Sequence, residues 1–209
     1  MAEYLFPEGA VAKMQVPPYC AVPDFQVLEK TPTFLRTRYP IRIQALAGRE
    51  GKAWVQVCDG LKYKFLWAHV DDDDYRDDYL KFLVNHHGIK ISAIPDDYHV
   101  DHLYNRARAR EMKLPFVRMG LLPRSVNTSH GAGYEKQRTR GSIGTPGNQR
   151  GIDEILLMKL WDIQSPRKGQ PLGPTMQAHL DRMASLFGIP RAELLRNVTE
   201  LMDVAAFRP

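Results

Sequence analysis

Two polar clusters in this chain carry the side chains that hydrolysis of a phosphate ester requires. The first is Tyr98-His99-Val100-Asp101-His102-Leu103, which places an Asp-His pair at the end of a short strand-like run. The second is Asn127-Thr128-Ser129-His130, just downstream. Asp, His and Asn side chains can hold a hard divalent cation and activate a water on it. A histidine is also suited to act as general base, because its ordinary pKa lies near neutral pH. Phosphodiester cleavage needs that base together with positive charge to offset the charge growing on the phosphate. Strand geometry sets one condition. Neighbouring residues on a strand point to opposite faces, so Asp101 and His102 share a site only if the strand ends or twists there, or if one acts from the far side.

Charge is concentrated around these clusters. Residues 99–150 hold ten Lys and Arg against Asp101, Glu111 and Glu135, a local charge of +7. The whole chain is +5, so the remainder is −2. Such a distribution favours an anionic partner at the Asp-His segment. A solvated basic loop would give the same count.

The elements that must position the clusters are legible in outline. Residues 1–39 are rich in proline and read as an irregular arm with at most one strand. Ile41–Leu46 alternates apolar and polar residues, Gly48–Gly51 is a turn, and Ala53–Val57 is a second strand. Asp59-Gly60 is a hairpin signal, and Leu61–Trp67 completes a three-stranded meander. The acid run Asp71–Asp74 reads as a helix start, where carboxylates cap amides and face the positive dipole end. Tyr75, Tyr79, Phe82, Leu83 and His86 then recur at helical spacing, and Gly88 suits the stop. His86-His87 at that helix end would favour the dipole as cations. Two apolar runs, Tyr98–Tyr104 and Phe116–Leu122, flank a basic loop, and a short helix starts near Pro123 or Arg124. Gly131–Gly151 reads as a linker or a loop that orders on a polyanion. Helical periodicity returns at Ile152–Trp161, Met176–Phe187 and Leu194–Met202.

The central segment resembles the HNH endonuclease family, whose fold is the ββα-metal finger. The resemblance rests on Val100-Asp101-His102-Leu103-Tyr104-Asn105-Arg106 and on Val117–Gly131, which contains Leu121-Leu122-Pro123-Arg124-Ser125-Val126-Asn127-Thr128-Ser129-His130. It implies a strand-loop-strand-helix unit over residues 96–137. It further implies His102 as general base and Asp101 as metal ligand, with Asn127 or His130 completing the metal site. Arg106, Arg118 and Arg124 would contact phosphates, and Lys136, Arg138 and Arg140 would extend the nucleic-acid contact. Mg²⁺ is the implied cation, with Mn²⁺, Ni²⁺ or Zn²⁺ as alternatives. The family's middle Asn falls at Arg118 here, and Asn105 is the nearest substitute. His99, two residues from Asp101 and on its side of a strand, is an auxiliary ligand or phosphate contact.

The reading is therefore an α+β protein with three parts. They are the arm at 1–39, a core at 40–150 with the meander and the ββα-metal-like unit, and a helical region at 151–209. The expected function is metal-dependent hydrolysis of nucleic acid, DNA first. The alternative is a non-catalytic DNA-binding or assembly protein that keeps the scaffold. The C-terminal helices are candidates for a homodimer or protein-partner surface. No apolar run is long enough for a membrane span. Met1–Pro7 lacks the basic and apolar regions of a secretory signal. Cys20 and Cys58 form no metal-ligand pattern, which suits reduced thiols and a cytoplasmic setting.

Overall fold

The computed structural model describes residues 19–30, 41–58, 63–135, 145–165 and 172–206. The protein is α+β, with seven strands in one sheet and seven α-helices among the described residues. The described parts of the chain fall into two compact units. One is Met1–Leu121 with Ser142–Ile152; the other is Leu122–Gly141 with Asp153–Pro209. Asn127 and His130 thus belong with the C-terminal helices, whereas Asp101 and His102 belong with the sheet.

In the first unit the strands are β1 (Tyr19–Val22), β2 (Ile41–Ala45), β3 (Ala53–Cys58), β4 (Tyr63–His69), β5 (Tyr98–His102), β6 (Phe116–Pro123) and β7 (Arg150–Gly151). Their order is β2-β3-β4-β6-β1-β7, with β5 also paired to β6. The meander expected from the alternating pattern is present as β2–β4, with Trp54 opposite Trp67 and Gln44 opposite Val55. Its Asp59-Gly60 turn lies outside the described residues. The proline-rich arm contributes more than expected. It supplies β1 and the helix α1 (Gln26–Lys30), whose first amides donate to Asp24 Oδ1.

Strand alternation separates two layers. Val55, Val57, Leu66, Ala68, Met119 and Leu121 point to one face and pack under α2 (Tyr75–His87) through Tyr79, Phe82 and Leu83. On the other face Trp67, Trp54 and Phe116 meet Val22, Phe25 and Leu28. Phe25 stacks on Phe116 with ring centroids 4.4 Å apart. The helix α2 stops where its sequence indicates, with Gly88 in the left-handed region at φ 67°.

Helix α2 also starts where expected, directly after the acid run, but its capping differs. Asp74 occupies the N-cap position but makes no side-chain cap bond. The acid run is instead held by arginines. Arg49 pairs with Asp72 and Asp78, Arg106 with Asp73, and Arg110 with Asp71. His86 and His87 differ too. Burial lowers the pKa of both, that of His87 to about 4, so His87 does not serve as a cation at the helix end.

The segment between β5 and β6 is not a loop. It forms α3 (Arg106–Glu111), started by Asn105, whose side chain accepts from the Arg108 amide at 3.2 Å. In the second unit β6 passes directly into α4 (Arg124–His130), followed by a π-helical turn at Gly131–Glu135. The helices α5 (Glu154–Leu160), α6 (Pro174–Phe187) and α7 (Arg191–Ala206) follow. This unit buries Leu156, Met158, Leu160, Met176, Leu180 and Leu194, in keeping with the helical periodicity. The buried Lys159 ammonium pairs with Glu135.

Candidate functional site

His102 closes β5, and its placement follows from strand alternation. Val100 is buried in the core beneath α2, so His102, two residues on, points to the same side. The imidazole is only 6% exposed, and its ring meets Tyr75 edge to face at a centroid distance of 4.6 Å. In the sequence Tyr75, the first residue of α2, marks only the helical spacing. His99 and Asp101 alternate with this pair and are half-buried. Asp101 and His102 therefore stand on opposite sides of β5. The Leu103 amide donates to the Arg118 carbonyl at 2.9 Å, which holds the end of β5 against β6.

The basic residues expected to meet phosphates divide into three groups. Arg106 is engaged inside the fold: its Nε donates to the Val70 carbonyl and its Nη2 to Asp73, each at 2.9 Å. Arg110 does the same with Val70 and Asp71. These guanidinium groups hold the Asp73 and Asp71 carboxyls below their usual pKa. Two of the ten local cations are thus answered by the acid run. Arg118 corrects a second expectation. It is 2% exposed, and its guanidinium lies 3.7 Å from the Phe65 ring centroid. Burial lowers its pKa to about 10. A phosphate contact needs an accessible guanidinium, and Arg118 is a core residue instead. Arg124 is exposed at the start of α4. Lys136, Arg138 and Arg140 lie outside the described residues. Asn105, considered as a substitute for the family's middle Asn, caps α3.

In the second unit Asn127 and His130 lie three apart on α4, which places them on neighbouring positions of one helix face. His130 is fully buried, and its Nε2 lies 2.9 Å from the Ile163 carbonyl oxygen. A carbonyl only accepts, so Nε2 carries a proton. Ser129 is fixed beside it, donating to the Val126 carbonyl and accepting from the Ser165 amide.

Among the described residues no three His, Cys, Asp or Glu side chains are grouped as a metal site. No described helix is long and apolar enough to cross a membrane. Cys20 is a buried thiol that donates to the carbonyls of Arg150 and Gly151. Neither a protein-family model, a curated protein nor a solved structure matches the chain.

Proposed function

We propose that β5, β6 and α4 form an HNH-like unit and that the protein hydrolyses phosphodiester bonds of nucleic acid, DNA first. One observation carries the reading: the order of elements. β5 ends in Asp101-His102, pairs with β6, and β6 runs without a loop into α4, which bears Asn127 and His130. On this reading His102 accepts the proton of the attacking water. A divalent cation, Mg²⁺ first, would supply charge to offset the phosphate oxyanion when bound. Asp101, at the strand end, would offer it a carboxylate.

A second reading is supported by the enclosure of His102 against Tyr75 and by the placement of Asp101 on the other side of the strand. Both suit a non-catalytic protein that binds DNA, or assembles on it, with the same scaffold.

Incubation with supercoiled plasmid and Mg²⁺ or Mn²⁺, beside a His102→Ala variant, separates the two. Metal-dependent nicking by the wild type and not by the variant supports hydrolysis. Salt-sensitive DNA binding without nicking supports the second reading. Equal nicking by both proteins removes His102 from the chemistry.

A further inference from the structure

The chain just beyond His102 carries a polar cluster that the hydrolytic reading does not use. Tyr104, Arg108 and Arg150 come together in the first unit beside the apolar core of Ala21, Met112 and Val117. The Arg108 guanidinium lies 5.6 Å from the Tyr104 ring centroid. Arg150 opens β7 opposite Ala21, and its carbonyl accepts from the Cys20 thiol, so β1 holds its position.

Arg108 and Tyr104 are donors short of acceptors among the described residues. Arg108 is 7% exposed, and among the described residues it takes part in no ion pair and its buried Nε has no hydrogen-bond partner. The Tyr104 hydroxyl is buried and makes no hydrogen bond of normal geometry, although the Arg150 side chain comes near enough to influence it. Burial raises the pKa of this phenol, and the charges of Arg108 and Arg150 pull it back. A buried guanidinium without an anion is costly, and Arg49, Arg106 and Arg110 of the same unit have acids beside them. Among the described residues Arg108 has no such pair.

We propose that Tyr104, Arg108 and Arg150 form an oxyanion site that takes a phosphate group, carried either by a nucleic-acid backbone or by a small molecule. Guanidinium groups bind such oxygens through paired N–H bonds, and a phenol hydroxyl adds one more donor. A cation would be repelled. A neutral ligand would leave the buried charge unanswered. The site does not depend on the hydrolytic reading and is tested by binding without a divalent metal.

The test is thermal unfolding of the full chain at constant ionic strength in chloride, in inorganic phosphate, and with a single-stranded oligonucleotide. Wild type, Arg108→Gln and Tyr104→Phe are compared. Phosphate or oligonucleotide should raise the wild-type midpoint, and Arg108→Gln should weaken the apparent affinity about tenfold or more. Stabilisation by the oligonucleotide that free phosphate competes away assigns the site to a polymer backbone. Stabilisation by free phosphate alone assigns it to a small molecule. Both outcomes support the site. Absence of stabilisation by either ligand overturns it, as does equal stabilisation of wild type and Arg108→Gln. Should Arg108→Gln not fold, Tyr104→Phe keeps the ring packing and decides: unchanged stabilisation then overturns the proposal. A protein that binds at Arg108 and never nicks DNA retains this site and loses the hydrolytic reading.

Discussion

Arg49 donates through Nε to the buried Asp78 carboxylate at 2.9 Å, and this pair ties the β2–β3 turn to the start of α2. The same guanidinium reaches Asp72 through Nη2 at 2.6 Å and Asp74 through Nη1 at 3.1 Å. One cation thus answers three carboxylates, two of them buried. Helix α2 in turn supplies Tyr75, the ring against His102. The Asp run therefore serves the candidate site at one remove, by anchoring the helix that covers it.

Removing this cation should be severe. Arg49→Met leaves the buried carboxylates of Asp72 and Asp78 without their partner, a change that typically costs about 3–5 kcal/mol. Urea denaturation followed by far-UV circular dichroism measures it. A loss below about 1 kcal/mol would show that the cluster contributes little.

Asp78 should impose a pH dependence of unusual sign. Burial, the largest cause, and the neighbouring Asp72 raise its folded-state pKa from 3.8 to about 6, against the downward pull of Arg49. The folded protein therefore holds this proton more tightly than the unfolded chain. The stabilisation is fully present below pH about 3.8 and is lost as pH rises through about 6. Wild-type stability minus that of Asp78→Asn should fall between those pH values. A difference that is flat or rises would contradict the assignment.

On the opposite face of the sheet, the Trp67 indole Nε1 donates to Gln56 Oε1 at 2.8 Å, with both residues fully buried. Gln56→Leu strands the indole N–H, and a buried donor left unsatisfied costs about 1–3 kcal/mol. The matched pair Gln56→Leu with Trp67→Phe removes both polar groups and should recover part of that loss. Double-mutant analysis of thermal unfolding decides.

The packing of β6 against Leu103, just after β5, has no spare room at Gly120. A Cβ there would lie 2.8 Å from Leu103 Cδ2. Gly120→Ala should cost about 1–3 kcal/mol through overpacking, and Leu103→Val should relieve it in the double variant. Additive losses would mean that the two positions do not meet.

Local periodicity carried much of this fold. The alternation of Ile41–Ala45 and Ala53–Cys58 needs only its own residues to mark strands, and Gly88 marks the end of α2 by its left-handed φ. The Pro123-Arg124 helix start was equally local. β1 and β7 were not legible. They are four and two residues long and exist through pairing with each other and, for β1, with β6 across more than ninety positions of chain. α3 is not legible either, because its run of alternating Arg and Ala reads as solvated charge and its cap, Asn105, is also a residue type suited to a site.

The sequence by itself determined the meander, α2, the two strands after it and the later helices, with Asp101-His102 at a strand end and Asn127 and His130 on a helix. Only the tertiary structure decided what the charged groups do. Arg106 and Arg110 find Asp73 and Asp71 thirty-three and thirty-nine residues away, and Arg118 turns into the sheet over Phe65. Arg108, among the same basic residues, is buried, and its Nε meets no partner among the described residues. Helix and strand preferences act between neighbours, so they can be read along the chain. Neutralisation and burial of a charge depend on partners that only folding brings near.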